Sequence, residues 1–315
     1  MSKNILILGA GELGSSILHS LATSPSFNPT SQTLTVLLRP STLTSSPSKT
    51  QPLAALGINL LAGDLINDSI PVLAEKFRPY DTIVSCIGFT AGKGTQVKIA
   101  EAVLQAGVAR FIPWQFGVDY DGIGRGSPQD LFDEQLDVRD MLRGQERVKW
   151  VVVSTGMFMS FVFHEGFGVV DFKGGVVRAL GGWEHRVTVM TVEDIGRVTG
   201  EMVLGELGKG LFEESGPVFV GGDTVSYGEL AGFLERFTGR EFRREVITVE
   251  QAIEGARSDE AAGVSSAFNK YRAVFGQGKG VAWDMEGTWN RRVGIPTMTL
   301  KEWAEKNLGE YAAVR

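Results

Sequence analysis

Short apolar runs alternate with amphipathic segments through the first half of the chain. Such runs, set between turn-forming residues, are typical of strands buried on both faces of a parallel sheet. They predict six strands, at 5–8, 34–38, 57–65, 82–88, 110–116 and 149–154. Apolar residues at helical spacing predict helices between them, at 12–22, 70–77 and 96–106. This alternation predicts an α/β fold, a Rossmann-type doubly wound parallel sheet with right-handed crossovers.

The helix at 96–106 has a clear apolar face and a clear end. Its apolar positions fall on one side, at Val97, Ala100, Val103 and Leu104. Gly107 follows directly, and glycine is the residue that most often closes a helix at its C-terminus. We therefore expect these four side chains to be buried and the helix to end at Gly107.

Three glycines separate the first strand from the first helix. Gly9 and Gly11 leave space for a ligand to approach the backbone, and Gly14 lets the helix pack closely on the strand. A diphosphate at this turn would meet unpaired N–H groups and the positive end of the helix dipole. The alternative is a glycine-rich structural turn. We favour a dinucleotide site that includes Glu12 and Leu13.

The end of the second strand bears on which dinucleotide is bound. Enzymes that select NAD place an acidic residue there to hold the ribose hydroxyls, whereas a basic residue favours the 2′-phosphate of NADP. This chain has Arg39, followed by Ser41 as a hydroxyl donor. A surface arginine is the alternative. NADPH is therefore the expected cofactor, and the Ser- and Pro-containing stretch 45–51 is expected to be a loop across its adenosine end or disordered.

The alternation of strands and helices weakens beyond Phe158. Residues 160–183 are rich in Phe, Val and Gly without helical spacing, and 246–272 contain two helical stretches. We expect residues 1–158 to form an NADP-binding domain, with later sheet elements from about 185–222. Residues 159–315 are expected to form mainly a smaller C-terminal substrate-binding lobe, since such segments usually lie over the carboxyl ends of the strands.

Composition and charge exclude several classes of partner. The formal net charge is −6 and no basic stripe is present, which argues against nucleic acid. The single cysteine, Cys86, lies in an apolar run and is expected to be a small buried side chain in a reducing compartment. No apolar run approaches the ~20 residues of a membrane span, so we expect a cytoplasmic protein that makes no membrane contact. A homodimer is left open.

No metal or serine hydrolase site is predicted. The three histidines, His19, His164 and His185, are far apart in the sequence, and only one thiol is present. No Gly-x-Ser-x-Gly elbow follows a strand.

Several motifs together resemble one family. They are GAGELG at 9–14, RPST at 39–42, GDL at 63–65, QVKI at 96–99, RFIPWQFG at 110–117 and VTVMTVEDIG at 187–196. Their order and spacing are similar to those of isoflavone reductase-like proteins, in the NmrA-like, atypical branch of the short-chain dehydrogenases. The variant at 113–117 resembles fungal members associated with secondary metabolism. The resemblance implies NADPH and an aromatic or polycyclic small-molecule substrate, reduced at a C=C, C=O or benzylic C–O site.

The predicted cofactor site also includes residues from later parts of the sheet. They are Gly88, Phe89, Gln115 and Phe158. The loop that begins at Phe89 is expected beside the nicotinamide ribose.

The chain departs from the family at the catalytic position. The resemblance places a catalytic lysine on the helix after strand five, where this chain has Gln135. The Tyr-x-x-x-Lys pair of ordinary short-chain dehydrogenases is absent as well. An amide can hydrogen-bond a carbonyl but cannot release a proton at neutral pH. The neighbours Asp133 and Glu134 are expected to be solvated charges on the helix surface.

Two further residues are candidate proton donors. His164 follows strand six, where the family lines its substrate pocket, and its ordinary pKa near 6.5 suits an acid. Its alternative is a structural histidine. Tyr120, after strand five, could donate its phenolic hydroxyl or could pack on the surface as a turn residue. Four phenylalanines nearby, Phe158, Phe161, Phe163 and Phe167, could form an aromatic wall for a flat ligand or belong to the core.

These features favour an NADPH-dependent reductase that transfers hydride to a conjugated C=O or C=C of an aromatic or polycyclic metabolite. The missing lysine keeps two alternatives open. One is an NADP-binding regulatory protein without turnover, and the other is an isomerase or cyclase on the same fold.

Overall fold

The computed structural model describes residues 4–311, apart from the side chain of Thr90. Within this range the strands are β1 (Asn4–Leu8), β2 (Thr33–Leu38), β3 (Asn59–Ala62), β4 (Thr82–Ser85), β5 (Arg110–Ile112), β6 (Lys149–Ser154), β7 (Met157–Phe158), β8 (Val170–Asp171), β9 (Val176–Leu180), β10 (Arg186–Met190), β11 (Gly216–Phe219), β12 (Asp223–Ser226) and β13 (Arg243–Ile247).

The helices of the described residues are α1 (Glu12–Thr23), α2 (Pro40–Ser45), α3 (Pro47–Ala55), α4 (Ile70–Phe77), α5 (Thr95–Ala106), α6 (Tyr120–Ile123), α7 (Leu131–Arg143), α8 (Met159–Val162), α9 (Val192–Leu204), α10 (Leu211–Glu214), α11 (Tyr227–Thr238), α12 (Val249–Ala261), α13 (Ala267–Gly276), α14 (Trp289–Arg292) and α15 (Leu300–Asn307). Short 3₁₀ turns at Phe89–Ala91, Glu206–Gly208, Met285–Gly287 and Gly309–Tyr311 complete the described secondary structure.

The central sheet has seven strands in the order β11-β6-β5-β4-β1-β2-β3. Strands β1 to β6 pair in parallel. The order reverses beside β1, which is the topological switch point of a doubly wound fold, where ligands bind beyond the carboxyl ends of the strands. The predicted Rossmann-type fold is confirmed. Two three-stranded sheets, β12-β10-β7 and β13-β9-β8, lie outside it.

The chain divides into two compact units. Unit 1 contains the residues up to Phe116, Glu134–Val153 and Val192–Val218. Unit 2 contains Gly117–Asp133, Ser154–Thr191 and the residues from Phe219 onward. The assignment of a cofactor domain and a substrate lobe to particular parts of the chain stays a prediction.

The core of unit 1 surrounds β1. Residues 5–8 of this strand are fully buried, as expected for a central parallel strand covered on both faces. Helix α9 packs against α1, and Gly196 allows this contact because a Cβ there would overlap Ser16. Among the described residues, no helix is long and apolar enough to cross a bilayer.

The apolar face predicted for the helix at 96–106 was partly wrong. Helix α5 ends at Gly107 with φ 72°, as predicted, and buries Ala100 and Val103. Val97 and Leu104 are only half-buried, whereas Ile99 and Ala102 are buried. The buried face is rotated because α5 also packs against α4, so its environment is set by two neighbours.

The loop predicted at 45–51 is also wrong. Most of this stretch lies in α3, and α2 precedes it directly. Each of these helices has a proline in its first turn, Pro40 in α2 and Pro47 in α3, where the missing N–H has no cost and φ is already helical. The Ser- and Pro-rich composition that resembles a loop therefore contains two helix starts. Strand five, predicted to reach residue 116, ends at Ile112 because Pro113 cannot donate to a neighbouring strand.

Candidate functional site

Three glycines after β1 have three different surroundings. Gly9 has φ 89°, and a Cβ there would overlap the side chain of Ile87. A Cβ at Gly14 would overlap the carbonyl oxygen of Gly9, so α1 lies directly against the turn. At Gly11 a Cβ would meet nothing within 4 Å. Gly11 thus borders open space at the N-terminus of α1, which is the geometry of a dinucleotide cradle.

Gly11 lies in an open cleft of about 310 Å³ in unit 1. Four of the predicted cofactor residues line it, Gly9, Gly11, Arg39 and Gly88. The other predicted residues of this unit, Glu12, Leu13, Gly14, Ser41, Phe89 and Gln115, do not line it. Leu13 is a core residue, and Glu12 is exposed in the first turn of α1.

Two positive side chains line the cleft. Arg39 is exposed at the N-cap of α2, and Lys49 extends from α3. Sequence reasoning missed Lys49 because it lies in the stretch taken as a loop. The signal for it was the Ser46-Pro47 pair, which marks a helix start.

A carboxylate, Asp64, also lines the cleft. Its Oδ1 accepts hydrogen bonds from the N–H groups of Ile66 and Asn67 at 2.9 and 3.0 Å. The Asn67 side chain donates to Oδ2, and these hydrogen bonds, with a smaller contribution from Arg39, lower the pKa of Asp64. The carboxylate is engaged in its own turn, as is common for an aspartate at such a position.

Two aromatic side chains outside the cleft lining pack together beside Gly88. The ring of Phe89 meets Trp114 edge-on, with centroids 4.7 Å apart. A Cβ at Gly88 would lie 3.0 Å from the Trp114 indole, so glycine lets the indole pack closely on the backbone there. Cys86 lines the cleft wall, and burial raises the pKa of its thiol, as expected for a structural cysteine.

Gln135 lies on α7 and is fully buried. Neither oxygen nor nitrogen of its side-chain amide has a hydrogen-bond partner among the described residues. Its backbone carbonyl accepts a hydrogen bond from Nε2 of Gln115 at 2.9 Å. Oε1 of Gln115 accepts one from Nε of the buried Arg139 at 2.7 Å. Both polar atoms of the Gln115 side chain, a predicted cofactor residue, are therefore hydrogen-bonded to α7.

The two carboxylates before Gln135 are not the solvated pair that the sequence suggested. Asp133 is half-buried and accepts a hydrogen bond from the N–H of Gly126 at 3.0 Å. Glu134 is buried and accepts hydrogen bonds from the start of α5. The prediction for Glu134 was wrong because its partners lie about forty residues earlier in the chain, beyond the reach of any local pattern.

The remaining candidates lie in unit 2. Tyr120 is 3% exposed, and its ring meets Phe132 edge-on with centroids 4.9 Å apart, so the surface alternative for it is wrong. His164 is exposed, and its Nδ1 accepts a hydrogen bond from the N–H of Gly166 at 3.1 Å. Phe158 is half-buried in β7. Catalytic roles for Tyr120 and His164, and a cofactor role for Phe158, stay predictions.

The aromatic residues after β6 divide between core and surface. Phe167 is fully buried, whereas Phe161 and Phe163 are half-buried. Phe161 also contacts Tyr271, a phenol that sequence reasoning did not single out and whose pKa is raised by burial. Across the described chain, no group of three or more His, Cys, Asp or Glu side chains could hold a metal ion.

The family assignment rests on a match that covers most of the chain. The NmrA-like family matches residues 1–282. The chain belongs to this family. An "NmrA-like family domain-containing oxidoreductase" of Gibberella moniliformis is 47% identical over 312 residues, which are 96% of this chain and 97% of that protein.

Two solved structures share the fold of this NmrA-like chain. An isoflavone reductase superposes with a TM-score of 0.77 at 19% identity, over 97% of this chain and 99% of the other. A complex of leucoanthocyanidin reductase with NADPH, from Vitis vinifera, has a TM-score of 0.75 at 19% identity, over 98% and 99%. The resemblance to NmrA-like and isoflavone reductase-like proteins is confirmed.

Proposed function

We propose that this NmrA-like chain is an NADPH-dependent oxidoreductase that delivers hydride to a conjugated C=O or C=C of an aromatic or polycyclic molecule. The observation that carries the proposal is the cleft of unit 1, where Gly11 faces open space and Arg39 and Lys49 line the wall. The name of the Gibberella relative, an oxidoreductase, supports the reaction class. The fold shared with two reductases of aromatic compounds supports the substrate class by analogy.

The residues of the cleft fit NADPH. The turn at Gly9 and Gly11 would present backbone N–H groups and the positive end of α1 to the diphosphate. Arg39 and Lys49 would hold the 2′-phosphate through charge-assisted hydrogen bonds. Asp64 would not compete as a ribose ligand, since its oxygens accept hydrogen bonds within its own turn. When bound, NADPH supplies the hydride.

Gln135 is the proposed donor to the substrate oxygen. Leaving a buried polar group unpaired costs about 1–3 kcal/mol, and both polar atoms of this amide lack a partner among the described residues. A carbonyl oxygen of a bound substrate would pair with Nε2. Because an amide carries no proton to give, the substrate must already be electrophilic, and its reduced form would take its proton from water or a second residue.

The test is stopped-flow NADPH absorbance with a panel of conjugated aromatic ketones and enones. The wild type should oxidise NADPH with at least one of them, and Gln135→Ala should lower that rate about 10²-fold because one oriented donor is removed. Gln105→Ala is the control, an exposed amide on α5 whose loss should leave the rate unchanged. Oxidation that continues undiminished in Gln135→Ala would remove Gln135 from its proposed role.

A second candidate is an NADP-binding regulatory protein without turnover. The observation that favours it is Gln135 itself, an amide where the resemblance places a catalytic lysine. This alternative requires tight NADPH binding, no oxidation with any compound of the panel, and an NADPH affinity that Gln135→Ala leaves nearly unchanged. Isothermal titration calorimetry beside the stopped-flow series separates the two functions.

A further inference from the structure

Glu134 is a buried carboxylate that caps a helix far from it in sequence. Its Oε2 accepts a hydrogen bond from the N–H of Gly94 at 2.9 Å. Its Oε1 accepts from the N–H of Gln96 at 2.7 Å and from that of Val97 at 3.3 Å. Three backbone donors at the start of α5 thus converge on one side chain of α7.

Helix α5 has no cap of its own. Its N-cap residue is Gly94, which has no side chain to accept the exposed N–H groups. The segment before it contains Gly92 and Gly94, with φ of 92° and 86°, so the local chain has few constraints. A negative side chain at a helix N-terminus satisfies these donors and interacts favourably with the helix dipole. Glu134 therefore defines where α5 begins.

The same contacts continue to the wall of the cleft. Gln96, whose N–H bonds to Glu134, donates from its side-chain Nε2 to the carbonyl oxygen of Ile87 at 2.7 Å. Ile87 and Gly88 line the cleft. Two hydrogen-bonded steps therefore join Glu134 to the cleft, and Gln135 is the next residue of α7.

We propose that Glu134 is a positioning residue that fixes Gln135 relative to the Ile87–Gly88 wall of the cleft. The proposal rests on the proposed function, because it concerns the placement of the substrate's hydrogen-bond donor. It gives the acidic residue a role in catalysis without contact with substrate or cofactor. Binding of NADPH in the cleft should accordingly stabilise α7, through the hydrogen bonds that link Ile87, Gln96 and Glu134.

The test compares wild type and Glu134→Gln by hydrogen–deuterium exchange with and without NADPH. In the wild type, NADPH should slow exchange both at 9–15 and at 134–143. In Glu134→Gln, a neutral side chain meets three donors, so exchange at 94–97 should quicken about 10-fold, while NADPH still protects 9–15 and no longer protects 134–143. Asp137→Asn, an exposed charge on the same helix, should behave like wild type.

Kinetics give a second reading. With a substrate from the panel, Glu134→Gln should lower kcat about 10-fold or more, with KM and the calorimetric Kd of NADPH within about 3-fold of wild type. Glu134→Asp, which keeps the carboxylate on a shorter stem, should recover part of kcat. A lower kcat accompanied by comparable increases in KM and in the Kd of NADPH would show that Glu134 only stabilises the fold, and would overturn the proposal.

Two further outcomes are decisive. Protection of 134–143 that survives in Glu134→Gln, or that is absent in the wild type, overturns the proposal.

Should Glu134→Gln fail to fold, Gln96→Met removes the hydrogen bond to Ile87 while leaving the cap in place, and the same loss of protection is expected. A wild type that binds NADPH without turnover contradicts the reductase function alone, since the exchange experiment still decides the role of Glu134.

Discussion

At the scale of single residues, the turn after β1 shows how one residue type meets different demands. Gly14 is required by packing, since any side chain would overlap the backbone of Gly9. Gly11 has no such neighbour, so nothing in the protein's own packing explains the absence of a side chain there. The space over Gly11 is therefore the best evidence in this turn for a ligand.

Valine at these two positions should separate folding from binding. Gly11→Val should fold normally and lose NADPH affinity by about 10²-fold or more, because its side chain fills the space that the diphosphate needs. Gly14→Val should be destabilised by about 3 kcal/mol or fail to fold, since the backbone cannot yield. Calorimetric titration and thermal unfolding measure the two effects. Unchanged NADPH affinity in a folded Gly11→Val protein would contradict the cofactor site.

Arg39 and Lys49 should together decide between the two dinucleotides. Arg39→Ala and Lys49→Ala should each weaken NADPH binding about 10- to 100-fold, the value of a charge-assisted contact, and leave NADH binding nearly unchanged. Lys209→Ala, which removes a surface charge outside the cleft, is the control. Calorimetry with both cofactors measures the ratio of the two affinities. Equal losses of affinity for NADPH and NADH would exclude a contact with the 2′-phosphate.

Local sequence indicated Arg39 but not its partner. Arg39 follows an apolar strand directly, so its place in a parallel sheet could be read from the pattern. Lys49 lies on a helix whose composition resembles a loop, and Glu134 bonds to residues about forty positions away. The position of such side chains depends on how distant elements pack, and the local spacing of residues carries no information about that packing.

At the scale of elements, the helices of unit 2 differ in how they begin. Helix α11 starts with a capping box in which Ser226 accepts a hydrogen bond from the N–H of Glu229 and the Glu229 carboxylate accepts one from the N–H of Ser226. This second bond is the largest cause of the lowered pKa of Glu229. Helix α12 has the same box with Gln251 in place of a carboxylate.

The two boxes should respond differently to pH. Because the folded pKa of Glu229 is lowered, its contribution to stability is present above the ordinary glutamate pKa and is lost as pH falls through the folded value. Glu229→Gln should thus cost about 0.5 kcal/mol at pH 7 and progressively less below about pH 4. Gln251→Glu should give α12 the same pH-dependent gain in the free energy of unfolding. Urea unfolding across this pH range checks both, and a pH-independent difference would rule out the charge as its source.

At the scale of the whole molecule, the sheet order followed from rules that act over the entire chain. Alternating strands and helices admit few right-handed arrangements, so the doubly wound sheet was predictable from the apolar runs. The strands of unit 2 were not, because β8 and β9 lie in a stretch rich in Phe, Val and Gly without clear spacing. Strand β8 pairs with its neighbour β9, but β9 also pairs with β13, which follows more than sixty residues later in the chain.

A ligand that binds only the folded protein should stabilise the whole chain by mass action. NADPH at about 100 times its Kd should add roughly 2.7 kcal/mol and raise Tm by several degrees. NADH at the same concentration should raise it less, and Gly11→Val should abolish both shifts. Scanning calorimetry provides the measurement, and equal shifts in wild type and Gly11→Val would place the binding elsewhere.

The packing of Trp114 over Gly88 also constrains how this protein can diverge. A Cβ at residue 88 would lie 3.0 Å from the indole, a tight contact that the indole must relieve by shifting a few tenths of an ångström. Descendants that keep a tryptophan at 114 should therefore favour glycine at 88, and alanine or serine at 88 should be more frequent where a smaller residue has replaced the indole. A residue that lines the cleft, Gly88, is thus coupled in evolution to a side chain outside that lining.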